Sequence, residues 1–374
     1  MKKAQYRWSK DTGWSLESGS ALDHEDIQLV VVFASPQCIH GPGLGELHDR
    51  FPNARIVGGS SAGNILGPHS TDDDMVATAI HFDHSRIEVR MVEMDASRDI
   101  FNDVSEMARS LLQDDLRLIM TLSDGLNING SRLAEAVSVS DTIPVVGGLM
   151  GDNGDFKQTY VILDGKIHSD AVILIGFYGE QLKVGHGCYA GWDEFGINRT
   201  ITRSENNIVY EIDNSPALEL YRKYLGNDAN SLPSSGLRFP LSITNKDGVP
   251  LIRTLLAIDD ANNSLTFAGD VPEGSITLLM KGNTDNLIDG AGTAAQRAKV
   301  PTDSEGLAIV ISCVGRRMLM GPMADDELEV VGEVLGENVA LTGFYSYGEL
   351  APFSKDHGDC LLHNQTMTLF SLHE

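Results

Sequence analysis

Cysteine is scarce and scattered. The four, Cys38, Cys188, Cys313 and Cys360, make no Cys-x-x-Cys pair, which argues against a zinc site or covalent haem attachment and for a reducing compartment. Basic charge is short as well: 28 Lys and Arg against 53 Asp and Glu leave a formal net charge of −25, a field that repels nucleic acid and anionic membrane surfaces. No apolar run approaches the length of a bilayer span. The first ten residues are basic but run into Asp, Gly and Ser instead of an apolar stretch, unlike a signal peptide. The expected protein is cytoplasmic, with no nucleic-acid partner and no membrane insertion. Walker loops, His-Glu-x-x-His helices, nucleophile elbows and spaced dinucleotide fingerprints are also missing, so no known catalytic constellation stands out.

What is present is one local pattern used three times. An apolar strand ends at a Ser, a helix follows, and a second apolar strand runs into a Gly-rich corner closed by a polar side chain. Copies run from Leu29–Ser35 to Val57–Asn64, from Leu118–Gly125 to Val145–Asp152, and from Leu307–Cys313 to Leu341–Glu349. Such self-similarity marks one supersecondary unit in repeated use. Glycine at a strand end permits positive φ and close backbone approach, so the three corners are expected to line one pocket; the alternative is tight strand exits packed on a neighbouring helix.

Between the copies, Met75–Phe82 and Ile87–Val92 read as paired strands turning at Asp83–Ser85. Ile100, Val104, Met107 and Leu111 recur at helical spacing. Tyr160–Leu163 and Ile167–His168 flank Asp164-Gly165, a hairpin signal, and Ala171–Phe177 is expected to complete the same sheet. A helix is expected with Ser215 as N-cap, Pro216 in its first turn, Leu218, Tyr221 and Leu225 on one face and Gly226 beyond its end. Asp247-Gly248 signals another hairpin, running into Leu251–Leu256. Strands at 264–267 and 275–280, an Ala-rich helix at 289–299 and a last strand at 365–372 follow. Because hairpins accompany the strand-helix-strand units, the fold class is mixed α/β, with mixed or antiparallel sheets, flanking helices and two halves around a cleft.

Gly58-Gly59-Ser60-Ser61-Ala62-Gly63, Leu122–Gly130 and Pro144–Asp152 together resemble the N-terminal half of the FIST proteins (F-box and intracellular signal transduction). Ser215-Pro216-Ala217 with Tyr221, Cys313-Val314-Gly315-Arg316, Gly343–Leu350 and His363–Met367 resemble the C-terminal half. The corresponding division is an extension at 1–26, an N-terminal domain at 27–200 and a C-terminal domain at 201–374. The resemblance implies a sensory protein that binds a small ligand, with amino acids proposed, and signals through a separate partner. It also implies a haem b cofactor as one option, since stand-alone bacterial members bind haem, sense nitric oxide and inform a histidine kinase.

Candidate site residues cluster at the corners: Gly59, Ser60, Ser61, Asp124, Asp152, Arg316, Tyr345 and Glu349. Arg316 suits a carboxylate through its bidentate fork, and Glu349 or Asp152 suits an ammonium; the alternative is an internal Arg316–Glu349 ion pair. Ser60, Ser61 and Ser123 serve either a ligand or a helix cap. For haem, the candidate axial ligands are His81, His186 and His363, with Cys188 and Cys313 as thiolates. A competing enzyme reading takes Cys313 as a thiol activated by Arg316.

Overall fold

The repeat survives folding intact. A computed structural model describes residues 1–19, 22–95, 99–244, 248–302, 304–354 and 358–374. The first unit holds β1 (Lys2–Ser9), β2 (Gly13–Gly19), β3 (Leu29–Ala34), α1 (Gly43–Arg50), β4 (Arg55–Ser60), the hairpin β5 (Asn64–Leu66) and β6 (His69–Thr71), and β7 (Met75–His81). The second holds β8 (Arg86–Glu93), α2 (Ile100–Ser110), β9 (Leu116–Ser123), α3 (Gly130–Val137), β10 (Val145–Leu149), the hairpin β11 (Val161–Leu163) and β12 (Lys166–His168), and β13 (Ala171–Tyr178). β14 (Lys183–Tyr189) opens the third, which an insert then interrupts: β15 (Asp193–Glu194), β16 (Arg199–Glu205), β17 (Ile208–Ile212), β18 (Ser215–Pro216), α4 (Ala217–Leu225), β19 (Leu241–Thr244), β20 (Pro250–Arg253), β21 (Leu255–Asp259), β22 (Ser264–Phe267) and β23 (Ile276–Lys281), after which α5 (Thr284–Ala298) packs back on β14. The unit resumes with β24 (Gly306–Cys313), α6 (Val314–Met320), α7 (Ala324–Leu335), β25 (Val339–Ser346), the hairpin β26 (Gly348–Pro352) and β27 (Cys360–His363), and β28 (Met367–His373).

Each unit contributes one parallel pair, β3–β4, β9–β10 and β24–β25, and one antiparallel strand beside it, β7, β13 or β28. The hairpins are exchanged. β5–β6 of the first unit adds to β25 of the third, β11–β12 of the second adds to β4 of the first, and β26–β27 of the third adds to β10 of the second. Three sheets of matching strand order result, the first carrying β2 as an extra edge. Each hairpin covers a strand edge that its neighbour would otherwise leave unpaired, so the three units are mutually dependent.

Strand alternation places the cores. Leu29, Val31 and Phe33 share one buried cluster with Leu118, Met120, Leu122, Leu307, Ile309 and Ile311, while Val30 and Val32 pack on the α1 side and Ala308 and Val310 on the side of α5 and α7. With side-chain direction reversing at each residue, one face of all three sheets meets in the middle. The first corner Gly of each unit stands against its parallel neighbour: a Cβ on Gly58, Gly147 or Gly343 would lie 1.6, 1.9 or 1.9 Å from the carbonyl oxygen of Val32, Thr121 or Val310. Close approach, not positive φ, is what requires glycine there.

The insert forms a nine-stranded sheet with its own apolar core. α2 forms as its spacing requires, with Ile100, Val104 and Ala108 buried and Asp99 accepting from Phe101 N–H as the cap.

Several local expectations give way to long-range pairing. β7 and β8 do not pair with each other: β7 lies between β1 and β3, and β8 pairs with β13. The 1–26 segment therefore supplies strands to the first sheet. The Asp164-Gly165 hairpin forms, with both residues at positive φ, but it joins the first sheet while β13 joins the second. Ser215 does not cap α4; it sits in the two-residue strand β18, and the helix starts after Pro216 with no side-chain cap. Asp247 lies outside the described residues, and the expected 251–256 strand divides into β20 and β21.

Candidate functional site

The corner residues interlock with one another. Ser60 Oγ accepts from Tyr160 N–H at 2.9 Å, and a Cβ on Gly59 would meet Met150 Sδ at 2.1 Å. Ser61 Oγ donates to Asn64 Oδ1 at 2.6 Å, and Asn64 Nδ2 donates to Asp74 Oδ1 at 2.7 Å. Asp124 Oδ1 accepts from the Leu126 and Asn127 N–H groups, both at 2.8 Å, which makes it a turn-former. Asp152 accepts from the N–H groups of Phe156, Lys157 and Gln158 and from the hydroxyl of Tyr347. Tyr345 is fully buried with its hydroxyl 3.4 Å from Glu327 Oε1.

Arg316 is fully buried and pairs with Glu327, not Glu349: Nε and Nη2 donate to Glu327 Oε2 at 3.0 and 2.9 Å. Nη1 donates to the carbonyls of Ala190 and Gln365, and Nη2 also donates to that of Leu287. Five bonds occupy the five N–H groups of a guanidinium, so no donor remains for a ligand carboxylate. Glu349 accepts from Ser346 Oγ, Thr366 N–H and Thr366 Oγ, and burial pushes its pKa up to about 7 against the pull of those bonds. Cys313 does not become an activated thiol through Arg316. Burial, reinforced by Glu349, raises its pKa far above the ordinary thiol value, and Arg316 opposes this only weakly.

The three candidate histidines sit in three different sheets, on β7, β14 and β27. His81 Nδ1 bonds the carbonyl of Asp26 at 2.8 Å near the surface. His186 is buried on β14 and His363 on β27. His363 Nε2 bonds the Ala351 carbonyl at 3.0 Å, and burial lowers its pKa to about 4. An axial ligand needs an apolar slot wide enough for a porphyrin; among the described residues, neither these three histidines nor Cys188 lines the three best-formed cavities, and Cys313 borders a cavity of only about 210 Å³. These residues do not fit haem. Among the described residues, no group of three or more His, Cys, Asp or Glu is placed to hold a metal.

A larger cleft, of about 770 Å³, opens where α3, β27 and the insert meet. Ile243, Leu251, Ile276, Leu361 and Leu362 form apolar wall, and four carboxylates, Glu135, Asp270, Glu273 and Asp359, share the lining. Arg253 also lines the cleft and is only 3% exposed. Its Nε donates to the Asp270 carbonyl at 3.0 Å and its Nη1 to the carbonyls of Ile252 and Leu362, both at 3.1 Å. Nη2 has no partner among the described residues, and no described carboxylate forms an ion pair with the group. Burial lowers the Arg253 pKa to about 10, with Asp270 opposing. A desolvated cation held only by carbonyl dipoles is costly, and an entering anion that completes its fork relieves that cost. The sequence signal was available: Arg253 interrupts the apolar run Leu251–Leu256, where a charge has no reason to sit in an ordinary core strand.

A cleft of ligand size, with an apolar wall and four carboxylates, opens between the threefold-repeated α/β core and the inserted sheet of this mixed α/β protein. The chain belongs to the FIST family: the FIST N domain matches residues 28–215 and the FIST C domain residues 217–352. FIST domains are associated with signal transduction and small-ligand sensing. Uncharacterized protein MJ1623 of Methanocaldococcus jannaschii is 28% identical over 198 residues, 49% of this chain and 37% of that protein, so the match spans little more than a third of that relative. A chorismatase structure (10% identity, TM-score 0.34, covering 100% of this chain and 98% of that one) and a cyanuric acid hydrolase structure (9% identity, TM-score 0.31, covering 100% and 99%) also align, too remotely to bear on the fold or function of this chain. Among the described residues no helix is long and apolar enough to cross a membrane.

Proposed function

We propose that this protein senses a small zwitterionic metabolite of the amino-acid class, bound in the Arg253 cleft, and passes the signal to a separate partner such as a histidine kinase. The observation that carries this reading is the buried Arg253 guanidinium, whose Nη2 edge has no partner among the described residues while four carboxylates line the same cleft. The ligand carboxylate completes the Arg253 fork and its ammonium meets the acidic wall, while Ile243, Leu251 and Ile276 take the side chain. The cleft volume falls within the range usual for small-molecule sites. Because the second unit supplies one wall and the insert another, occupancy ties these two parts together, which is a means of altering a surface that a partner reads.

The test is a melting-temperature and calorimetry screen of the twenty amino acids and their amines and carboxylic acids. A ligand present at a hundred times its Kd stabilises by about 2.7 kcal/mol, which reads as a rise of a few degrees. Arg253→Lys keeps the charge but loses the planar fork, and is expected to weaken binding at least tenfold. Glu135→Ala, at an exposed position on α3, is expected to weaken binding without loss of folding. A screen in which no zwitterion raises the melting temperature, or binding that Arg253→Lys leaves unchanged, overturns the proposal.

A further inference from the structure

α3 and β27 line the Arg253 cleft side by side, and their contacts show which end is which. Arg253 Nη1 donates to the Leu362 carbonyl on β27 and Nε to the Asp270 carbonyl. At the same end, the Asp270 carboxylate accepts from Asn129 Nδ2 at 3.3 Å, and Asp270 N–H donates to Ser131 Oγ at 3.2 Å, so the start of α3 lies beside Arg253. At the other end, Ser138 Oγ accepts from Cys360 N–H at 2.9 Å. Ser131, Ala134, Glu135 and Ser138 face the cleft, spaced as one face of a helix.

The carboxylates are therefore spread along the cleft. Asp270 stands beside Arg253. The helical rise places Glu135 about 6 Å beyond Ser131, and an extended chain places Asp359 about 10 Å beyond Leu362. Between the two ends lies the apolar wall of Ile243 and Leu251. Arg253 is the one basic side chain in the lining, against four carboxylates, and among the described residues none of the four is in an ion pair. An amino acid with an apolar side chain brings one carboxylate for Arg253 and one ammonium for Asp270, which leaves the distal carboxylates uncompensated. A cleft lined by charge of one sign between apolar walls concentrates ions of the other sign.

We propose, building on the amino-acid reading above, that the ligand is a basic amino acid of the lysine, ornithine or arginine type. Its carboxylate completes the Arg253 fork and its α-ammonium meets Asp270. The methylene stem lies along Ile243 and Leu251, and the terminal cation reaches Glu135 and Asp359. A long cationic side chain rests its stem on apolar surface and keeps its head in a polar setting, which is the order of surfaces along this cleft.

Calorimetry with L-lysine, L-ornithine, L-arginine, L-norleucine and cadaverine tests this. Norleucine keeps the α-carboxylate, α-ammonium and stem of lysine without the terminal ammonium; cadaverine keeps the stem and both ammonium groups without the carboxylate. The tightest of the three basic amino acids is expected to bind at least tenfold more strongly than either, with an affinity that falls more steeply with ionic strength than that of norleucine. Asp359→Asn, at an exposed position, is expected to weaken the basic amino acid several-fold and to leave norleucine unchanged. Norleucine binding as tightly as the basic amino acids, or a preference for them that Asp359→Asn leaves intact, overturns this inference while the amino-acid reading stands. Cadaverine binding as tightly as lysine shows that Arg253 takes no carboxylate and overturns both. No binding of any of the three basic amino acids overturns this inference, and the wider screen then decides the amino-acid reading.

Discussion

Arg316→Ala is expected to cost at least 3–5 kcal/mol, the usual penalty for breaking a buried ion pair by removing one partner, and to exceed the cost of Glu327→Ala. The difference follows from what each truncation leaves behind. Without Arg316, the Glu327 carboxylate stays buried with Ser312 Oγ at 2.8 Å as its closest donor, and the carbonyls of Ala190, Leu287 and Gln365 lose theirs. Each orphaned buried group adds about 1–3 kcal/mol. Without Glu327, the guanidinium still donates to those three carbonyls. The loss extends beyond one strand because Ala190 follows β14, Leu287 is on α5, Glu327 is on α7 and Gln365 precedes β28, so one side chain ties the insert's flanks to the third sheet. Urea denaturation of both variants checks this. A cost below about 1 kcal/mol for Arg316→Ala, or a larger cost for Glu327→Ala, would refute the structural role given to Arg316.

Glu349→Gln is expected to stabilise the protein above neutral pH and to do little in acid. In the folded protein burial raises the Glu349 pKa from 4.5 to about 7. Below pH 4.5 the carboxyl is protonated in both the folded and unfolded states and imposes no penalty. Between pH 4.5 and 7 the unfolded chain releases the proton while the folded one keeps it, so stability falls as pH rises. Above pH 7 the folded carboxylate is charged, at a cost of order 3 kcal/mol from the size of the shift. Gln fits the same partners, its amide donating to Ser346 Oγ and its carbonyl accepting from Thr366 N–H and Oγ, in place of Oε1 and Oε2. His363 opposes this trend in the wild-type protein: its folded pKa of about 4 lies below the ordinary 6.5, so its contribution grows as pH rises from 4 to 6.5. The difference between variant and wild type at each pH reports Glu349 together with its coupling to His363, whose pKa the Glu349 charge raises. A difference that is flat from pH 5 to pH 8 contradicts the raised carboxyl pKa.

Most elements were legible because they are local. Continuous apolar runs in Leu29–Ala34 and Leu307–Cys313, buried at every position, the helical spacing of α2 and the Asp164-Gly165 turn each specify their own backbone within a few residues. The site was less legible. Arg316 and Glu349 are the right residue types for binding an amino acid, yet Glu327, 11 positions along the chain, takes the guanidinium once α7 packs beside α6. Arg253 has the same chemistry with its fork incomplete, and its distinguishing property is a missing neighbour, which no local pattern records.

The amino-acid sequence by itself determined the threefold unit, the mixed α/β class, the need for glycine at each corner and the absence of a basic surface, since these follow from side-chain alternation, Cβ sterics and charge count. Tertiary structure alone decided which unit receives each hairpin, that β7 and β8 part into different sheets, that the corner side chains bond to neighbouring protein groups, and that Arg253 faces a cleft. The physical reason is that edge pairing and burial are settled between segments distant in the chain: an unpaired strand edge takes whichever complementary strand the packed core brings alongside it, and a charged side chain is left free or paired according to what that packing places within a few ångströms of it.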